Sequence, residues 1–497
     1  MTTKVTRRDF LKVAGFTSLA AALWGCSGFS MAAPSLAGGT PSPTVLPVSG
    51  DTLAMTLRRI TFGPGPDDLS RARLIGLTAF IEEQLNPESL SDASAQAQLT
   101  GLDTLGMNPG DLETINPKSR PALELMRATL IREVYSSRQL FEIMVNFWTD
   151  HFNIYIGKTL DRYLKTVDDR AVIRSHALGK FGDLLLASAQ SPAMLIYLDN
   201  ATSTKNGPNE NYARELMELH TLSLEGGYSQ QDVQEVARAL TGWTITGENS
   251  PNPGEFIFRP GLHDDGEKII LGVPFPAGQG EKDGEQLLAM LAQHPSTAHF
   301  ISTKLARHFV ADQPPDSLVN RMADVFLQSG GDIVQILRTL FTSDEFHGSL
   351  GQKLKRPIEF VVSALRQTEA KAAIDRPVIN ILTVMGQEPF DWLSPNGYPD
   401  VGTAWLSTND LLARWNYALG LATGSVPGIA VDWAGWPGCD PRRSRPDHEP
   451  GIARRASSRS SPTISPPTTR NVGCVCRFGS PRSPVARIPL FPISVER

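Results

Sequence analysis

The residues best placed for chemistry lie in the segment 209–222. Its spacing predicts a helix, and at 100° per residue Asn211, Glu215 and Glu218 fall on one face with Arg214 at its flank. Paired carboxylates beside an amide can hold a cation or move protons. The same pattern also describes the solvated face of an amphipathic helix, with Arg214 and Glu218 as an i,i+4 pair. His220 falls at the edge of the apolar side, where a neutral core histidine is the simpler reading. His151 sits among Phe147, Trp148 and Phe152 and reads as a packed histidine donating to a carbonyl, with Asp150 beside it. His263 and Asp264 belong to a polar turn with Asp265 and Gly266, where a side chain is free to serve a ligand or simply to build the turn.

If Glu215, Glu218, His263 and Asp264 converged, with Asn211, Arg214, His151, His220 and Lys268 as binding residues, they would make an acid–base site. A divalent metal is chemically compatible with such a site. Cysteine cannot supply its ligands, because Cys26, Cys439, Cys474 and Cys476 lie near the chain ends. Neither a His-Glu-x-x-His helix nor a Gly-x-Ser-x-Gly elbow occurs, and there is no P-loop or dinucleotide fingerprint. Lys304, Arg307, Lys353, Lys355 and Arg356 add positive charge that could meet an anion, although solvated helix faces are the ordinary role for such residues.

Helices must position these groups. Leu123, Met126, Leu130, Val134, Phe141, Met144 and Trp148 recur at three- and four-residue steps through 119–152, apart from one seven-residue gap. Further helices are expected at 168–190, 209–222, 230–242, 283–293, 296–310, 315–328, 331–341, 357–370 and 402–420. Two more fall between Asp51 and Pro87, broken at Gly63–Pro66. Ser229 with Asp232 has the spacing of a capping box. Residues 255–259 and 268–271 read as short strands flanking the polar turn. The expectation is a mainly α, multi-helix bundle over 47–425 with a small β-hairpin insert near 255–272.

The ends differ from this domain. Thr6-Arg7-Arg8-Asp9-Phe10-Leu11-Lys12 resembles a twin-arginine export signal, and the apolar run Val13–Trp24 is too short to span a bilayer. Two endings of this leader, expected over 1–33 with a linker at 34–46, stay open. Leu23-Trp24-Gly25-Cys26 resembles a lipobox that would place a lipid on Cys26, and cleavage near Ala32-Ala33 is the other reading. Of the 57 residues from Pro441, thirty are Arg, Pro or Ser, a composition unable to bury a core. The stretch 426–497 therefore reads as a disordered basic tail or as a GC-rich gene translated out of frame. Eleven of the 47 basic residues and three of the 52 acidic ones lie from Pro441 onward. Residues 1–440 thus carry 36 basic against 49 acidic groups, which argues against nucleic acid as a partner.

Several segments in order carry a resemblance. They are 147–152 (FWTDHF), 192–200 (PAMLIYLDN), 209–220 (NENYARELMELH), 237–243 (ARALTGW), the residues His263, Asp264, Gly266 and Lys268, 304–309 (KLARHF), 355–357 (KRP) and Gly386-Gln387. The chain resembles the domain of unknown function 1800 family over roughly residues 50–420. The resemblance implies an exported bacterial protein, periplasmic or otherwise extracytoplasmic. The leader in turn implies delivery by the twin-arginine translocase, with membrane contact expected only through the leader or a lipid on Cys26. Such proteins are often encoded beside a second exported family, numbered 1501, which is the expected partner. The resemblance supplies no reaction. A binding or assembly protein of the cell envelope is the expectation, with an exported hydrolase on a carboxylate/His site as the alternative.

Overall fold

Apolar residues recur every three or four positions through most of the chain, and the computed structural model, which describes residues 52–433, turns those runs into helices. The leader, the linker, all four cysteines and the Arg/Pro/Ser-rich stretch from Pro441 lie outside the described residues, which run on past 425 to Trp433. The chain is mainly α with small two-stranded hairpins, as its periodicity requires.

The pattern 119–152 becomes two helices, α1 (Arg120–Tyr135) and α2 (Gln139–His151). Their break falls in the seven-residue gap of the apolar stripe. Gln139 is buried there, and its amide donates to the Glu133 and Ser136 carbonyls that end α1. Helix α3 (Asp161–Asp168) runs into a π-helical turn at Asp169–Ile173, so the expected single helix 168–190 is instead that turn, a short continuation and α4 (Phe181–Ala189). The segment 209–222 also changes character. It begins as α5 (Glu210–Glu215) and continues as a π-helix over Leu216–Thr221, where Leu222 N donates to Met217 O at 2.8 Å. Helix α6 (Gln230–Ala239) carries the expected Ser229/Asp232 capping box.

The β elements pair differently from expectation. Strand β1 (Trp243–Ile245) pairs antiparallel with β2 (Phe256–Phe258), and β3 (Lys268–Ile270) pairs with β4 (Val273–Phe275). The two stretches that read as one hairpin thus belong to two, because Leu271-Gly272, both at positive φ, turn the chain back directly after β3.

Helices α7 (Lys282–Ala292), α8 (Pro295–Phe309), α9 (Asp316–Ser329) and α10 (Ile333–Phe341) follow, and α8, α9 and α10 pack together. Gly330 and Gly331, both at positive φ, end α9, with Gly331 N reaching back to Phe326 O. Helix α8 starts on Pro295, capped by the His294 ring. It buries Ala298, Ile301, Leu305, Ala306 and Phe309, which leaves Phe300, Lys304 and Arg307 on another face. Helix α11 (Pro357–Gln367) lies across α1, and α12 (Thr408–Thr423) closes the described chain before a two-residue strand pair. The core behind α2 is aromatic. Trp148 is fully buried, stacks near Phe152 and Phe181, and donates from Nε1 to Ala177 O at 2.9 Å. No helix among the described residues is long and apolar enough to cross a membrane.

Candidate functional site

A cleft of about 320 Å³ opens where the end of α2, the outer face of α8, the N-terminus of α11 and the loop 396–401 meet. That volume suits a small ligand. Polar groups line it at Asp150, His151, Lys304, Arg307, His308, Arg356 and Asp400, with Phe147, Leu219 and Phe300 among the apolar ones.

Each group is held by a second. Arg356, buried at the N-terminus of α11, sends Nη1 to Asp150 Oδ2 at 2.6 Å, Nη2 to Asn146 Oδ1 at 2.7 Å and Nε to Glu359 Oε1 at 2.9 Å. Burial opposes its charge, but Glu359 and Asp150 outweigh that cost and raise its pKa. Burial likewise works against the Glu359 carboxylate, and Arg356, with His308 and Lys355 beyond it, brings its pKa down to about 2. Asp400 accepts from His308 Nδ1 at 2.7 Å, while Lys353 reaches both Asp400 (3.1 Å) and Asp312 (2.7 Å). Burial opposes the charge of Asp400, yet His308, Arg356 and Lys353 hold it well below the usual carboxylate range. These pairs fix the loop 396–401 as a wall of the cleft. Gly397 permits its close approach, since at φ +71° a side chain would be strained and a Cβ would collide with the Asp150 carbonyl.

Lys304 differs from its neighbours. Its amine lies 2.9 Å from His151 Nδ1 and 5.6 Å from the Phe300 ring centre, and no ion pair joins it to a carboxylate among the described residues. His151 Nε2 stands 3.1 Å from the His220 carbonyl. A carbonyl only accepts, so Nε2 carries the proton, Nδ1 is the bare nitrogen, and Lys304 donates to it. Burial, then Lys304 and His220, push the imidazole well below its ordinary pKa, so it stays neutral. Burial also lowers the Lys304 amine to about 8. Arg307, one turn further along α8, spends Nε on the Asp312 carbonyl and forms no ion pair among the described residues.

The π-helix explains the carbonyl. The His220 carbonyl belongs to the last turn of Leu216–Thr221, where helix carbonyls lack intrahelical donors, and it is free for His151. The His220 ring is fully buried, with both nitrogens unpartnered among the described residues, and burial lowers its pKa to about 3. It packs 5.0 Å from Phe152 and 6.0 Å from His151.

The other sequence-derived residues sit elsewhere. Asn211 donates to Leu198 O, and Arg214 pairs with Glu210 and Gln230 in place of the expected Glu218. The wider π turn beginning at Leu216 takes Glu218 out of α-helical register with Arg214. Burial and then Glu218 raise the Glu215 pKa, and Glu218 lies against Tyr228. His263 and Lys268 belong to a buried network. His263 bonds the Thr241 carbonyl and Asp283, and Lys268 bonds Asp283 and the carbonyls of Asp264 and Gly266. Asp264 takes both arms of Arg238, which with the Gly266 N–H lowers its pKa to about 2 despite some burial. These contacts strap the hairpins to α6 and α7. None of His263, Asp264, Lys268, Glu215 and Glu218 lines the cleft, and no hydrogen bond or ion pair joins the two carboxylates to the His263 cluster among the described residues. No group of three or more His, Cys, Asp or Glu side chains is placed to hold a metal among the described residues.

Of Asn211, Arg214, His151, His220 and Lys268, His151 is the one that lines the cleft, and Lys304, Arg307 and Arg356, read as charge for an anion or as solvated helix faces, line it too. Lys304, Arg307, His308, Arg356 and Asp150 come from three of the segments that carried the family resemblance, 147–152, 304–309 and 355–357. Their shared order was the available signal, but three separated segments carry no sign of meeting. Asp400 and Gly397 belong to Gly397-Tyr-Pro-Asp400, which no such segment includes.

No curated protein and no solved structure matches the chain. A family described as protein of unknown function (DUF1800) matches residues 55–476, which includes every segment that meets at the cleft. The chain therefore belongs to the DUF1800 family.

Proposed function

We propose that this is an exported binding protein of the cell envelope that takes a small anionic ligand into the cleft between α2, α8 and the loop 396–401. One observation carries the reading. Lys304 and Arg307 face the same cleft one helical turn apart, and neither forms an ion pair among the described residues, whereas Arg356 and Lys353 beside them do and His308 bonds Asp400. Asp150 and Asp400 act on Lys304 across the cleft without a direct ion pair, so a carboxylate or phosphate could bond both cations directly. The paired residues around them already hold one another and serve as rigid walls. The hydrolase alternative has less support, because the Glu215/Glu218 face and the His263–Asp264 cluster are engaged in separate parts of the fold.

Calorimetric titration of the mature protein with acetate, succinate, pyruvate and inorganic phosphate tests the binding. Saturable heat from at least one anion is expected, with affinity reduced ten-fold or more by Arg307→Gln. No heat from any of the four, or undiminished binding in the Arg307→Gln/Lys304→Met double variant, overturns the reading. Export rests on Arg7 and Arg8, and the family 1501 partner on the family habit alone. Fractionation should place the wild-type protein outside the cytoplasm and an Arg7→Lys/Arg8→Lys variant inside. Equal distribution of the two would refute that route. Co-purification with the neighbouring 1501-family protein tests the partner.

A further inference from the structure

Resting on the anion-binding reading of the cleft, we propose that Lys304 is a nucleophilic amine that condenses with the carbonyl group of a short 2-oxo acid whose carboxylate sits on Arg307. Side chains one turn apart on a helix present their ends a few ångströms from each other, which matches a ligand whose carboxylate and carbonyl are adjacent. The Lys304 amine is distinguished by its partners from the other lysines held within the fold. Lys165, Lys268 and Lys353 are bound to aspartates, and Lys355 is spent on the Phe62 and Arg58 carbonyls. Lys304 has a single hydrogen-bond partner among the described residues, the bare Nδ1 of His151.

That contact orients the amine without charging it. An aspartate partner would hold an ammonium and occupy the lone pair, whereas a neutral imidazole takes one N–H and leaves the lone pair of the free amine open to the cleft. Asp150 and Asp400 across the cleft favour its ammonium, but burial outweighs them and lowers the amine to about 8. At pH 7.5 roughly a quarter of such an amine is neutral, against about a thousandth for an ordinary lysine.

The step balances. The nitrogen lone pair forms a bond to the carbonyl carbon, and the C=O pair moves onto oxygen. The two hydrogens of the free amine pass to that oxygen, with His151 Nδ1 placed to accept and return one of them. The oxygen leaves as water and a C=N bond remains. Arg307 keeps the carboxylate in place throughout and takes no part in the bond changes.

The test uses the mature protein, pyruvate as probe and sodium cyanoborohydride as the hydride source that reduces C=N to a stable amine, followed by peptide mass mapping. The pyruvate adduct is expected to form on Lys304 at least ten-fold faster than on the exposed Lys205 and Lys282. Its rate should rise through a pH near 8. Arg307→Gln should require about ten-fold more pyruvate, and acetone, which lacks the carboxylate, should label Lys304 no faster than the surface lysines. Lys304→Arg, with circular dichroism unchanged, should lose the adduct. Labelling of Lys304 at the surface rate overturns the proposal. If calorimetry still shows pyruvate bound in that case, the covalent step falls and the binding reading stands. If calorimetry shows no anion bound, both fall together.

Discussion

At the scale of single residues, the cleft holds charge where the fold would be more stable without it. Burial lowers the Lys304 amine from 10.5 to about 8, so below pH 8 the folded protein carries an ammonium that it solvates poorly. The sign follows from linkage. Between pH 8 and 10.5 the unfolded chain binds more protons, so the cost is full below 8 and vanishes above 10.5. Lys304→Met should therefore stabilise the protein at pH 7 by about 1–3 kcal/mol, and the gain should fade as pH rises toward 10.5; denaturant melts at pH 7 and pH 10 measure this. Loss of stability at pH 7 would mean that the amine is better satisfied than its partners suggest. Glu133 makes a similar case on the acid side. It is buried, and among the described residues it accepts only from Asn146 and leaves Oε2 unpartnered, so burial, then the nearby Glu142, raise its pKa well above the ordinary value. Glu133→Gln should be stabilising at pH 7 by on the order of 1 kcal/mol and neutral below about pH 4, where the glutamate is protonated in both states.

Two irregular elements place the site. The π-helix Leu216–Thr221 delivers the His220 carbonyl to His151, and the loop 396–401 brings Asp400 to His308 and Lys353. The loop depends on Gly397 packing against the Asp150 carbonyl. Gly397→Ala should cost about 1–3 kcal/mol and abolish anion binding, because the loop must move off α2 to admit the methyl group. Binding at wild-type affinity in that variant would show that the loop is no part of the site. By contrast, Ser229→Ala removes the N-cap of α6, a regular helix that lies outside the cleft. It should lower stability by about 1 kcal/mol while leaving anion affinity unchanged, as melts and titrations of one preparation would show.

For the whole molecule, the charged network ties distant segments together, and acid should undo it. Glu359, at about 2, Asp264, also at about 2, and Asp400, well below the carboxylate range, all have folded pKa values below their unfolded ones near 4. Their contribution is complete above that value and is lost as pH falls toward 2. With these carboxylates protonating, stability should fall steeply below about pH 4. In an Asp400→Asn variant the acid slope should be shallower and the stability at pH 7 lower by about 2–4 kcal/mol, because His308 and Lys353 keep their burial but lose a partner. An unchanged slope would place the acid sensitivity elsewhere.

Apolar periodicity determined the helical class and most helix positions, because those depend on neighbours within a turn or two, but it read 119–152 as one helix where the structure has two. The Ser229/Asp232 cap was legible for the same reason. The two π turns were not, since their wider hydrogen-bond spacing leaves the residue types of an ordinary helix unchanged. The site was legible only as fragments. His151 stood out as a histidine among aromatics, and its donation to a carbonyl was foreseeable, but that carbonyl lies 69 residues away in the sequence. Lys304 and Arg307 looked like an ordinary basic helix face. Only the tertiary structure decides which cations meet carboxylates, because Asp150 reaches Arg356 from 206 residues away and Asp400 reaches His308 from 92. The pairs that closed left Lys304 and Arg307 over, and no local pattern records what a distant segment fails to neutralise.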